Sequence, residues 1–165
     1  MKVLLAVDGS EFSDAAVAEI ARRPWLAGGE IKVLSVFEPP FPHTPEAWAV
    51  PPAYFEELTT SARSKAQAII EAAIETLKKA LGKSPTIQGE CIQGSPKSVI
   101  LDEAERWDAD LIVVGSHGYG VWERFLLGSV SQAVVSHAKC SVEVVRSRKP
   151  AEDEESFYVA KRYLK

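Results

Sequence analysis

Apolar residues fall along this chain in two rhythms: short unbroken runs, and longer stretches where they recur every three or four positions. Val3 to Val7 is the first unbroken run, and it stops at Asp8-Gly9-Ser10. That pattern predicts a strand covered on both faces, followed by a turn. Ser10 or Ser13 then caps a helix running to Ile20 or Arg22, with Ala16, Val17, Ile20 and Ala21 on one face. Ile31 to Phe37 reads as a second strand. Leu58, Ala62, Ala66, Ile69, Ile70, Ala73, Leu77 and Leu81 mark the apolar stripe of a long amphipathic helix, which Gly82 ends. Thr86 to Ile92 alternates weakly and predicts a third strand. Gly94-Ser95-Pro96 opens a helix whose apolar face is Val99, Ile100, Ala104 and Trp107. Leu111 to Val114 is a fourth, strongly apolar strand; Ser129 to Ala138 predicts a last helix and Val142 to Val145 a fifth strand.

Strands that alternate strictly with helices imply one α/β domain, a parallel sheet with helices on both faces. In such sheets ligands bind beyond the C-terminal strand ends, where the strand order reverses. Two segments interrupt the alternation. Pro39, Pro40, Pro42, Pro45, Pro51 and Pro52, interleaved with Phe41, Trp48, Tyr54 and Phe55, predict a long irregular loop. Its aromatic residues serve either as a lid or as a satellite core. From Lys149 onward the chain is polar, with the acidic run Glu152-Asp153-Glu154-Glu155. We therefore place the folded domain at 1–148 and a dispensable tail at 149–165, although Tyr158, Val159, Tyr163 and Leu164 offer it docking groups.

Composition narrows the function classes. The net charge is −4 and no basic tract occurs, which argues against a nucleic-acid partner. Cys91 and Cys140 stand far apart and form no CxxC, so a reducing cytosol is expected rather than a disulfide framework. The first residues hold too short an apolar run for a signal peptide, and no stretch is long enough for a membrane span. The expected location is the cytoplasm, with no membrane partner. His43 and His137 lack metal-ligand spacing, and His117 has no evident nucleophile or acid partner in sequence. It is expected to face solvent or to brace its loop.

The candidate chemistry lies in two segments that compete for the sheet crevice. One is Ala6-Val7-Asp8-Gly9-Ser10, after the first strand. The other runs from Gly115 through Gly118 to Gly128-Ser129, and continues as Val130-Ser131 into a helix. Glycines let a backbone approach a phosphate chain and adopt positive φ. The N–H groups and dipole of a helix start favour an anion. Asp8 reads either as a turn residue or as a ligand group.

Glycines spaced as Gly115, Gly118 and Gly128-Ser129 resemble the nucleotide motif of the ATP-binding universal stress proteins. VLLAVDGS, GSPKSVIL, DLIVVGSHG, LLGSVSQAVVSHAKC and VEVVRS are similar to that family too, in the same order, over residues 1 to about 147. The resemblance implies a five-stranded parallel sheet of order 3-2-1-4-5, in the adenine nucleotide α-hydrolase-like class. It implies that Ala6, Val7 and Asp8 line the adenosine end, with Asp8 on the ribose or near a metal-bound phosphate. Val36 would meet adenine, and Val114 and Gly115 the base and ribose side. Gly118, Gly128, Ser129, Val130 and Ser131 would hold phosphates. ATP, or AMP or ADP, is the implied ligand, with Mg²⁺; a homodimer through the fifth strand is the implied assembly. Tyr119 stands where many relatives are basic and Val121 where they have glycine, leaving Arg124 in the loop; Ser141 replaces a common proline, and Glu143 an apolar residue at the dimer edge. The expected role is regulatory, with weak or absent catalysis. The rivals are an ATP-consuming enzyme of the related fold and a dimerisation module that binds no nucleotide. The first of these usually carries an SGGxDS loop, where this chain has Asp8-Gly9-Ser10-Glu11-Phe12-Ser13.

Overall fold

A strand buried on both faces needs a layer above it and a layer below, and the chain supplies both. The structure, a computed structural model, describes residues 1–23, 28–38, 51–118 and 127–147. Its strands are β1 (Lys2–Ala6), β2 (Glu30–Phe37), β3 (Thr86–Gln93), β4 (Leu111–Gly115) and β5 (Ser141–Val145). Its helices are α1 (Glu11–Ala21), α2 (Pro52–Leu81), α3 (Pro96–Arg106) and α4 (Ser129–His137). Every strand pair is parallel, and the order is β3-β2-β1-β4-β5, the order the resemblance implied.

Alternate residues of β1 point into two separate cores. Val3 and Leu5 pack with Ala16, Val17 and Ile20 of α1 and with Ile70, Ala73 and Leu77 of α2. Leu4 packs with Ile100 and Ala104 of α3 and Val134 of α4. Val3, Leu4 and Leu5 are all fully buried, which is why this strand is apolar throughout rather than alternating. Each such side chain contributes roughly 1.5–3 kcal/mol by leaving water.

Local signals set the helix ends. Ser10, not Ser13, is the N-cap of α1: its hydroxyl accepts the Ser13 N–H at 3.3 Å. Ser13 replies by accepting the Gly9 N–H at 3.0 Å. α2 ends at Gly82, whose φ of 68° is the left-handed conformation that glycine adopts without strain. The expected loop is shorter than its prolines suggested. α2 begins at Pro52, because the first helical position needs no N–H donor. Tyr54 and Phe55 therefore lie on the first turns of a helix, where Tyr54 is 51% exposed and stands edge-on to Phe55. Pro39 to Trp48 and the tail from 149 lie outside the described residues.

β3 alternates weakly because it is an edge strand. α2 approaches it so closely at Gly89 that a Cβ there would overlap the Ile70 side chain. On the opposite sheet face lies a charged cluster in which Lys32 and Glu103 are buried and Arg106 reaches solvent. Lys32 of β2 pairs with Glu103 of α3 and Glu90 of β3, and Arg106 pairs with both carboxylates. The Lys32 ammonium also lies 4.9 Å from the Trp107 ring centre. Burial pushes the Glu103 carboxyl up, but hydrogen bonds from Lys32 and Arg106 outweigh it and hold the group below its ordinary value. Among the described residues every buried side-chain polar atom has a hydrogen-bond partner. No described helix is long and apolar enough to cross a membrane.

Candidate functional site

The sheet order reverses between β1 and β4, which are neighbours, paired Val3 to Leu111 and Leu5 to Val113. β1 leads into α1 on one face of the sheet, and β4 leads towards α4 on the other. The chain therefore splays apart beyond these two strand ends and leaves a cleft of about 330 Å³. Ala6, Val7, Asp8, Val36, Val114, Gly115, Gly118, Gly128, Ser129, Val130 and Ser131 all line it. Every site residue named from the sequence thus meets in one place.

Asp8 is a turn residue and a cleft residue at once. Its Oδ1 accepts the Ser10 N–H at 2.9 Å and the Ser10 hydroxyl at 2.6 Å. Gly9 follows with φ 79°, so the chain turns sharply into α1. The other oxygen, Oδ2, faces Gly118, where an added Cβ would stand only 2.7 Å from it.

The far wall is built around Ser116, which is 1% exposed. Its N–H donates to Val145 O of β5 at 2.7 Å, and its carbonyl accepts the Gly128 N–H at 2.7 Å. The same carbonyl accepts the Ser131 hydroxyl at 2.9 Å, a proton shared with Gly128 O at 2.9 Å. The Ser131 hydroxyl thus closes the loop onto itself; what it presents to the cleft is the start of α4. Among the described residues no side chain caps that helix, and no acidic residue lies in its first turn, whereas α1 carries Glu11 and Asp14 there. The α4 start therefore keeps its backbone donors and its positive dipole end for an anion.

The glycines work differently from the expectation of positive φ. Gly115, Gly118 and Gly128 all lie outside the left-handed region, and Gly128 has φ −68°. What they supply is room. A Cβ on Gly115 would press on the Phe12 backbone at 2.7 Å, and one on Gly128 on His117 Cα at 3.2 Å. Gly115 is thus required by the packing of α1, and it lines the cleft as well.

Sequence reasoning missed Ser13, Leu34, Pro96, Ile100 and His117, which also line the cleft. Leu34 was legible, because it lies two residues before Val36 on the same face of β2. Pro96 and Ile100 come from α3, and only the layer arrangement brings them there. His117 is half-buried in the cleft wall, with Nδ1 3.2 Å from Ser116 Oγ and its ring 5.1 Å from that of Phe12. Tyr119, Val121 and Arg124 lie outside the described residues. Glu143 is paired with Arg23, just beyond the end of α1, which also pairs with Glu19. Cys91 and Cys140 are free, and burial pushes both thiols up, away from a reactive thiolate. Among the described residues no cluster of three or more His, Cys, Asp or Glu could hold a metal by itself.

Comparison with known proteins agrees with this geometry. The universal stress protein family model matches residues 1–146. A universal stress protein of Thermus aquaticus is 33% identical over 144 residues, 87% of this chain and 97% of its own. The structure of the universal stress protein UspA from Lactobacillus plantarum is similar with a TM-score of 0.75 and 27% identity, covering 88% of this chain and 97% of that one. A family protein from Arabidopsis thaliana, solved with AMP bound, shares the fold with a TM-score of 0.65 and 23% identity, covering 93% and 94%. With the sheet order and the family match over nearly the whole described chain, the protein belongs to the universal stress protein family.

Proposed function

We propose that the cleft binds an adenine nucleotide, ATP in the first place, and that the protein is a regulatory nucleotide binder of the stress response, acting in the cytoplasm. One observation carries the reading: Asp8 and the glycine loop, from opposite halves of the sequence, line one cleft against the uncapped start of α4. In this reading the phosphates lie on the N–H groups of Ser129, Val130 and Ser131, where the helix dipole is positive. The base lies towards Leu34 and Val36 of β2, whose apolar side chains suit a flat heterocycle. The ribose falls between them, beside Asp8.

The Arabidopsis thaliana relative carries AMP in its structure, which is consistent with a nucleotide in this fold. AMP and ADP offer the same base and ribose chemistry as ATP and are the alternatives. Mg²⁺ binds through one or two carboxylates together with phosphate oxygens. Asp8 is the carboxylate among the described cleft residues, so it fits that donor set and would hold the ion beside the nucleotide. The ion's contribution there is to neutralise phosphate charge. We extend the proposal to a homodimer through β5, whose outer edge pairs with no strand among the described residues.

The test has two arms. The small molecule released when purified protein is denatured should have the mass of an adenine nucleotide. Calorimetric titration with ATP, AMP and GTP, with and without Mg²⁺, should then show binding that prefers adenine to guanine. A protein that releases no nucleotide and takes up none contradicts the reading.

A further inference from the structure

Among the described residues two charged side chains are buried, Lys32 at 5% and Glu103 at 3% exposure, and the nucleotide reading makes no use of them. They pair with each other between β2 and α3. The packing beside them is apolar, built from Leu34, Val36, Ile100 and Ala104. β2 carries Lys32, Leu34 and Val36 on one face, successive side chains about 7 Å apart. Ile100 stands one turn before Glu103 on α3, about 5 Å along the helix axis. Leu34, Val36, Pro96 and Ile100 all line the cleft. The ion pair thus joins the strand and the helix whose side chains wall the base end, one step behind that wall. Apolar packing has no preferred direction, so by itself it lets a helix shift along a strand at small cost. A buried ion pair does not, because a displaced partner leaves a charge uncompensated.

We propose that Lys32 and Glu103 are positioning residues of the cleft: their buried pair fixes where α3 lies on β2, and with it the gap between Leu34 and Val36 on one side and Pro96 and Ile100 on the other, which sets the selectivity for adenine over guanine. The inference rests on the nucleotide reading and adds to it the origin of its base selectivity. Neither Lys32 nor Glu103 lines the cleft, so both act through α3 and β2. The four wall side chains carry no polar group, and either purine can stack on them. The bases differ at their rims: guanine has an oxo group and an amino group, adenine a single amino group. A gap that just admits adenine makes guanine bury a polar group without a partner. The rest of the cluster makes the pair removable. Glu90 and Arg106 pair with each other at 3.2 Å, and so keep a partner when Lys32 and Glu103 are both replaced. Exchange of a buried ion pair for apolar side chains of similar volume is often neutral or stabilising.

The test compares wild type with the double variant Lys32→Met, Glu103→Leu. Its thermal melt should be cooperative, with a Tm near that of wild type. ATP and GTP, each with Mg²⁺, are then titrated calorimetrically into both proteins. An unpaired buried polar group costs roughly five- to a hundredfold in affinity, so the preference for ATP over GTP should fall by about fivefold or more in the double variant. The fall should come from weaker ATP binding, with GTP unchanged or tighter; a purely structural role would weaken both alike. If the double variant does not melt cooperatively, Glu103→Gln carries the test, because it leaves Lys32 with Glu90 and releases α3 from it. Its preference should fall in the same direction. An unchanged ratio, or equal weakening of both nucleotides, overturns the inference while the nucleotide reading stands. A wild type that binds ATP and GTP equally overturns it too, since there is then no selectivity to set. If wild type takes up neither, both readings fall.

Discussion

Gly115, Gly118 and Gly128 differ in what a side chain would strike, and the difference decides what a substitution does. At Gly115 the obstacle is the backbone of Phe12 at 2.7 Å, which cannot turn aside. Gly115→Ala should therefore cost about 1–3 kcal/mol through overpacking, a fall of roughly 2–12 °C in Tm, read by thermal melting. At Gly118 the obstacle is the far end of the Asp8 side chain, Oδ2, at 2.7 Å. A side chain can give way where a backbone cannot, though here it strains the two bonds from Ser10, so Gly118→Ala should cost about 1 kcal/mol, less than Gly115→Ala. It should nevertheless weaken nucleotide binding, because Asp8 is pushed off its position in the cleft. A Gly118→Ala protein that binds as well as wild type would separate Asp8 from the ligand. Spacing in the sequence marked these glycines as one motif, and all of them do line the cleft. It did not sort them by cause, because Phe12 and Asp8 reach them from the other half of the chain.

Elements were more legible than their boundaries. Each strand and helix read from the apolar rhythm is present, since β1 and β4 are covered on both faces and α2 buries one stripe. The start of α2 was hidden because prolines signal both a loop and a helix's first turn, and only the second use applies at Pro52. Glu143 shows the same limit. From sequence it faces a dimer partner; in the fold it points to α1 and pairs with Arg23. Glu143 thus has a partner within its own chain, although Arg23 is shared with Glu19, and the proposed dimer does not need it to face its own copy. Sedimentation at micromolar concentration should show a dimer, and Val144→Lys should shift it to monomer. Val144 packs partly into the core of α3 and α4, so the variant's melt must be recorded alongside. A wild type that sediments only as a monomer removes the dimer from the account.

Across the whole molecule two ends of the sheet carry different kinds of charge. Away from the cleft, Lys32 of β2, Glu90 of β3 and Glu103 and Arg106 of α3 neutralise one another, and the cluster serves the fold. No spacing in the sequence announced it, because its members come from β2, β3 and α3. Glu103 has a folded pKa below its unfolded value, so its ionised form stabilises the fold above the ordinary glutamate range of about 4.3. That stabilisation is lost as pH falls through the folded value. Melting temperature should therefore fall more steeply with acid, below about pH 5, in wild type than in Glu103→Gln. Near pH 7 the variant should be about 3–5 kcal/mol less stable at most, since it leaves Lys32 with Glu90 alone. Equal slopes in acid would show that Glu103 does not carry the dependence. At the other end of the sheet the start of α4 turns its N–H groups and positive dipole end to the cleft, and there the central claim is tested. Ser129 is exposed at the first position of α4, a helix start with no acid of its own. Ser129→Glu should suit the helix dipole and leave the fold intact, while its carboxylate takes the place of a phosphate. The most direct measurement is the thermal shift of both proteins in ATP at about a hundred times the wild-type Kd. Wild type should gain roughly 2.7 kcal/mol, some 5–10 °C in Tm, and Ser129→Glu almost none. An equal shift in the two proteins would mean that ATP binds elsewhere and that the glycine loop is only a turn.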